Sequence, residues 1–412
     1  MERLYSILEI MKIKDIVRFH SETTTPIPDV VYHLYSLPSF DNNQTREELL
    51  GQDIQSNKFT VPNRCILFNK LNVRFKRIWR IDSDEDHKIA STEFLPLIID
   101  ENKVDFDYCF YLLASPAITD YLCGQNANTS GSHKRIDPTN FFNIGIKLPP
   151  LAQQYEIGKL LSSLDTKIKL NRQINQNLEA MAKQLYDYWF VQFDFPNEEG
   201  KPYKSSGGEM LWNDKLKRNI PVGWHCGNLF EIAVFTNGLA CQKFRPKDDD
   251  MPLPVIKIRE MHDGISVDTE EVTSNIPESV KVYNGDVLFS WSASLEVMLW
   301  AYGLGGLNQH IFKVTSANDF PKSFYYFQLL DYVNVFKKMA EARKTTMGHI
   351  TQDHLQQSTI AIPDNKDIAD KFEELISPIF KQIVKLQEEI SNLIKQRDEL
   401  LPLLMNGQIT IE

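Results

Sequence analysis

At 412 residues the chain has material for two to four domains, and 42% apolar with 24% charged residues is the balance of a globular protein. No apolar run reaches membrane-spanning length, the N-terminus MERLYSILEIMKIKD lacks a cleavable signal pattern, and five Cys without a C-x-x-C pair argue against a disulfide framework or a zinc site and for a reducing cytoplasm. A net charge of −10, with no strongly basic segment, counts against a simple nucleic-acid binder, so any phosphate contact must come from local patches.

Residues 1–150 read as an α+β domain, with short strands at Arg64–Phe68 and Ile144–Leu148 and an amphipathic helix over 105–123. In NKLNVRFKRIWR, Lys70, Arg74, Lys76, Arg77 and Arg80 alternate with Phe75 and Trp79. That pattern fits a half-exposed strand with charges towards solvent, or a phosphate and major-groove patch. Asp82–Asp86 reads as a solvated loop that would repel phosphate. In NTSGSHKR, Ser130, Ser132, His133, Lys134 and Arg135 form either an ordinary loop or a phosphate contact.

Residues 151–192 read as a long helix. Its seam runs Ile157, Leu161, Leu164, Ile168, Asn171, Asn175, Leu178, Ala182, Leu185 and Trp189, in alternating steps of four and three. Polar seam residues such as Asn171 and Asn175 fix register or partner. Tyr186, Tyr188, Trp189, Phe190, Phe193 and Phe195 are expected in a core where the helix end meets a domain.

Residues 193–363 open with a Pro-, Gly- and Ser-rich linker, FDFPNEEGKPYKSSGGEM, and continue as a second α+β domain. Strands are expected at Val287–Ser290 and Thr359–Ile362, and a helix over 321–342. Trp291, Ser292 and Ser294 follow the first of these strands, while Gly303, Gly305 and Gly306 are expected in a hairpin turn before Asn308, Gln309 and His310. Asn and Gln side chains can pair with adenine edges, and equally can be satisfied structural groups. ARKTTMGH places Arg343, Lys344, Thr345, Thr346 and His349 where NTSGSHKR stands in the first domain. Asp248–Asp250 reads as another solvated loop. Residues 364–412 carry a second seam: Phe372, Ile376, Ile379, Ile383, Leu386, Ile390, Leu393, Arg397, Leu400 and Leu404, each 215 positions after its counterpart. Pro378 should start or kink this helix.

The chain is thus built twice. VPNRCILF (61–68) answers VYNGDVLF (282–289), KIKDI (12–16) answers NLFEI (228–232), and STEFLPLI (91–98) answers LNQHIFKV (307–314). CFYLL (109–113) answers YYFQL (325–329), and IGIKLP (144–149) answers STIAIP (358–363). The order domain, helix, domain, helix, with the helices antiparallel over roughly 60 Å, suits two unequal half-sites at fixed spacing. No Asp/Asn-Pro-Pro-aromatic methyltransferase tetrad, phosphate loop or helix-spaced metal pair occurs; LPPL (148–151) lacks the polar donor and the ring. The chain reads as non-catalytic, without a cofactor or metal of its own.

GDVLFSWSASLEVMLWAYGLGGLNQHIFKV (285–314), CILFNKLNVRFKRIWRI (65–81), WFVQFDFPNEEGKPYKSSGGEMLW (189–212) and IPVGWHCGNLFEI (220–232) resemble the specificity (S) subunit of type I restriction–modification systems. The resemblance implies two target-recognition domains joined by two long antiparallel coiled-coil helices, and a bipartite, asymmetric double-stranded DNA target. It implies two methyltransferase (M) subunits and restriction (R) subunits as partners, which would bring S-adenosylmethionine, ATP and Mg. The Pro-x-Gly-Trp lead-in at Pro221–Trp224 has no counterpart before Lys12, so the first domain is expected to start short at its edge strand. A coiled-coil interaction scaffold that never touches DNA is the alternative, favoured by the negative charge and opposed by the duplicated basic loops.

Overall fold

In the first repeat a four-stranded antiparallel sheet runs Val17–Phe19, Phe94–Ile99, Arg64–Asn69, Ile78–Asp82. The computed structural model describes residues 9–42, 44–125, 135–247, 251–292, 294–342, 350–409 and 411. One face of that sheet, through Ile66, Phe68, Leu95 and Leu97, packs on Phe106, Cys109 and Leu113 in a buried core. A five-stranded sheet flanks it, running Thr23–Thr24, Lys58–Thr60, Lys88–Ala90, Val31–Tyr35, Glu47–Leu50. Strand Glu9–Lys12 pairs with Gly145–Leu148, Glu9 opposite Leu148.

The second repeat reproduces this plan. Its four-stranded sheet runs Ala233–Asn237, Ile311–Ser316, Val287–Ser290, Glu296–Leu299, and Trp224–Gly227 pairs with Ile360–Pro363, Trp224 opposite Pro363. Even a local cap recurs: the Lys12 N–H donates to Asp15, and the Asn228 N–H donates to Glu231. The first domain's edge strand, which the short lead-in put in question, is therefore present. In the second repeat a hairpin, Met210–Asn213 with Arg218–Pro221, precedes that strand.

Four expectations need correction. The helix expected over 105–123 is two helices, Phe106–Ala114 and Pro116–Gln125, because Pro116 offers no N–H and Ser115 before it is extended. Its counterpart Lys322–Ala342 is continuous. Gly303 does turn, with φ +87°, but Gly305 and Gly306 lie in strand Gly305–Leu307, parallel to Pro252–Ile256 and antiparallel to Lys281–Val282. A Cβ on Gly306 would meet Val272 at 2.5 Å, so close packing explains the glycine. The match of STEFLPLI with LNQHIFKV slips by one: Leu95 faces Phe68 as Phe312 faces Phe289, an offset of 217, and a one-residue slip would exchange the sheet faces. Finally, Pro378 does not start the second long helix, which begins at Asp367 and ends at Met405. Pro378 and Glu374 are both exposed, so the carbonyl that loses its partner lies on the water side.

The first long helix, Leu151–Tyr186, continues as a π turn over Asp187–Val191, which delivers Tyr186, Trp189, Phe190 and Phe193 into the second domain's core; Tyr188 alone of the expected set is exposed. The chain divides into two compact units, Met1–Lys167 with Leu393–Glu412, and Ile168–Asn392. Each unit thus holds one domain, the start of the helix that follows it and the end of the other helix. The seams are as expected at Ile157, Leu161, Ile168, Phe372, Ile376, Ile383, Leu386, Ile390 and Leu393, all buried. Asn171 and Asn175 are buried too, and the Asn175 amide donates to the Ile383 carbonyl at 3.3 Å.

Candidate nucleic-acid interface

In the first unit residues 70–77, for which a half-exposed strand is one of two readings, form a loop joining two sheet strands. Its base is braced by Asn69, whose side chain accepts from the Leu71 N–H at 2.8 Å and donates to the Leu71 carbonyl at 2.6 Å. Val73 is buried beneath it. The Lys70 N–H donates to the Glu93 carbonyl and the Lys70 carbonyl accepts from Ile136, which brings Arg135 alongside the loop. At the tip Phe75 is half-exposed, with the Arg74 and Arg77 guanidinium groups 4.7 Å and 5.0 Å from its ring centre. Arg77 is also held by Asp41 through two hydrogen bonds of 2.7 Å, and Arg135 by Glu93 at 2.6 Å. Arg74 and Lys76 are exposed and form no ion pair with the described residues.

Arg80 is elsewhere. It pairs with Asp107 at 2.6 Å, donates to Ser162 of the long helix at 3.0 Å and covers the Phe110 ring. Its role in the structure is to hold the domain on the helix, a correction to its place among the DNA candidates. Ser130, Ser132, His133 and Lys134 lie outside the described residues, as do Asp248–Asp250. The acidic stretch 82–86 is tied internally, Asp82 to Arg64 and Glu85 to Arg46.

In the second unit the same main-chain frame returns. The Trp291 N–H donates to the His310 carbonyl and the Trp291 carbonyl accepts from Ile350, so Trp291 stands where Lys70 stands and His310 where Glu93 stands. The Trp291 indole donates to Asn237 at 3.3 Å, and its ring lies 5.6 Å from the His310 ring. Gln309 lies beside His310, whose Nδ1 is buried without a partner among the described residues. Asn308 and Ser292 are buried, the Asn308 side chain accepting from the His310 N–H at 3.3 Å. These two are framework rather than surface, and Ser294 is half-buried with its N–H on the Ser292 carbonyl. Arg343, Lys344, Thr345, Thr346 and His349 lie outside the described residues.

A sequence model of the family described as the type I restriction modification DNA specificity domain matches residues 7–180 and again 221–396. The chain belongs to this DNA specificity family. The specificity subunit of the HindI type I restriction enzyme from Haemophilus influenzae is 23% identical over 401 residues, 84% of this chain and 86% of that one. The MjaIX specificity subunit from Methanocaldococcus jannaschii is 24% identical over 324 residues, 76% of this chain and 72% of that one. The crystal structure of a type I system S subunit from M. genitalium aligns over 98% of this chain and 97% of that one with a TM-score of 0.59 and 12% identity, which shows a shared fold.

Each specificity domain thus presents one braced loop corner. In the first domain Lys70, Arg74, Lys76, Arg77 and Arg135 come together there; in the second, Trp291, Gln309 and His310 do. Sequence reasoning missed Asn69, Glu93, Asp41 and Asn237, the groups that hold these corners in shape. Only the repeat itself signals them: once the sheets are aligned in their true register, Glu93 falls on His310.

Proposed function

We propose that each specificity domain reads one half of a two-part, asymmetric DNA target through its braced corner. The observation that carries this reading is one main-chain frame holding different side chains. The Lys70–Glu93–Ile136 and Trp291–His310–Ile350 frames make the same two main-chain hydrogen bonds. One corner offers lysine and arginine for phosphate and guanine; the other offers indole, imidazole and carboxamide for base edges and methyl groups. Two frames of one design with different chemistry select two different half-sites.

The chain itself performs no bond chemistry in this reading. Two methyltransferase subunits and the restriction subunits supply it, with S-adenosylmethionine, ATP and Mg bound by those partners. They also supply much of the positive field that a chain of net charge −10 lacks. Five free thiols are consistent with work in a reducing cytoplasm.

Methylome sequencing of host cells with and without this chain tests the reading. A two-part methylated motif that vanishes when the chain is removed is expected. An unchanged methylome in cells whose methyltransferase subunits are expressed would overturn it.

A further inference from the structure

Both domains rest a helix on the long helix that follows them, yet at equivalent positions the two junctions use opposite chemistry. In the first unit, Asp105 caps helix Phe106–Ala114 from within the domain, its carboxylate accepting the Tyr108 N–H at 2.9 Å. The Asp105 N–H in turn donates to Gln154 of the long helix at 2.9 Å. The long helix passes so near that a Cβ on Gly158 would lie 2.7 Å from the Asp105 carboxylate and 2.8 Å from the Tyr108 nitrogen.

In the second unit each of these groups has changed places. Pro321 stands where Asp105 stands, with no carboxylate and no N–H to offer. Ala369, fully buried, stands for Gln154. Glu373 stands for Gly158, and its carboxylate accepts the Ser323 N–H at 2.7 Å. The first turn of a helix needs acceptors for its open N–H groups; the acceptor belongs to the domain in one unit and to the long helix in the other.

Two turns along the long helix the exchange repeats. The Tyr111 hydroxyl donates to Asp165 at 2.6 Å, and Asp165 also accepts from Arg397 at 2.8 Å. The counterparts are Phe327, Phe380 and Ala182, all buried, with the two rings 5.7 Å apart.

We propose that these exchanges key each recognition domain to its own long helix. The first domain set on the Glu373 helix would crowd two carboxylates at one helix cap and bring Tyr111 against Phe380. The second domain set on the Gly158 helix would leave its first turn uncapped and bury Asp165 without its tyrosine donor. Each docking surface therefore accepts one partner, the domain that precedes it in this chain, and rejects the other.

Full-length variants test this by thermal melting. D105P, Q154A and G158E singly should each lower the melting temperature, G158E by at least about 5 °C. The triple variant, which installs the second unit's arrangement, should recover more than half of the summed losses. The reverse exchange runs P321D, A369Q and E373G singly and together, with the same expectation, and decides the matter where a first-unit variant yields no soluble protein. The set Y111F, D165F and R397A gives a third cycle. Recovery in the combined variants supports the key; losses that simply add, or single changes without effect, overturn it.

Discussion

At the residue scale, four basic side chains close together in sequence have different duties. Arg74 and Lys76 are unpaired with described residues and face solvent, whereas Arg77 is clamped by Asp41 and Arg80 is bound to Asp107 and the long helix. K76A should leave melting unchanged, R74A should lose only its contact with the Phe75 ring, and each should lower the salt dependence of DNA binding by the assembled complex, the slope of log affinity on log salt falling by about one. R77A should also cost about 1 kcal/mol of stability, because a bidentate pair and a ring contact go with it. Salt-titrated binding and thermal melting distinguish the two classes. A second residue-scale expectation concerns His225, whose Nδ1 donates to the Asp364 carboxylate at 2.5 Å and whose Nε2 lies 3.2 Å from Glu231. Burial pulls its pKa down, but the hydrogen bonds to Asp364 and Glu231 outweigh this and hold it above the ordinary 6.5. A raised folded pKa adds stability that is complete below the unfolded pKa and is lost as pH rises through the folded one. The melting temperature of H225N should therefore fall below that of the parent by more near pH 6 than near pH 9, and an equal gap at both would remove His225 as the cause. The basic run and the Trp–His corner were legible in the sequence as residue types. Their partners were not, because Asp41, Glu93 and Asn237 come from distant segments and only the folded sheets bring them near.

At the element scale, the heptad seams were legible because an apolar stripe in steps of four and three has one structural meaning over so many turns. The broken helix 106–125 was less so: its apolar pattern continues across Ser115–Pro116, and the proline outweighs the pattern. The Gly-rich run was misread for a related reason, since glycine marks both turns and close-packed strands. G306A should test which applies, costing about 1–3 kcal/mol through overpacking against Val272, whereas a turn glycine facing open space, such as Gly303, meets no neighbour. The seam also contains a buried mismatch. The Asn171 amide nitrogen has no hydrogen-bond partner among the described residues, and the Asn175 carbonyl oxygen has none either. N171L should therefore raise the melting temperature, by the equivalent of about 1 kcal/mol, since an apolar side chain removes an unpaired polar group from the interior. A fall in melting temperature would mean that the asparagine is satisfied.

At the scale of the whole molecule, the duplication was visible in short sequence matches and is plain in the topology: two four-stranded sheets of the same strand order, two edge pairs in the same register, and two long helices that each begin in one unit and end in the other. The helices give a test of whether their length sets the distance between half-sites. Seven residues inserted at Asn175 and seven at Ile383, its hydrogen-bonded neighbour, keep the seams in phase and add about 10 Å to each helix. The methylated motif should then lengthen its spacer by about three base pairs. An unchanged spacer in a folded variant would assign the spacing to other subunits. The keyed junctions bear on inheritance as well. Specificity genes of one family can recombine, and a crossover at the boundary near residue 150 would join a domain to the helix that rejects it. A crossover between Asp165 and Ala182 instead carries Gln154, Gly158 and Asp165 along with their domain, leaving one mismatched position. Descendants of this gene that have exchanged a recognition domain should therefore carry their join in the middle of the long helix.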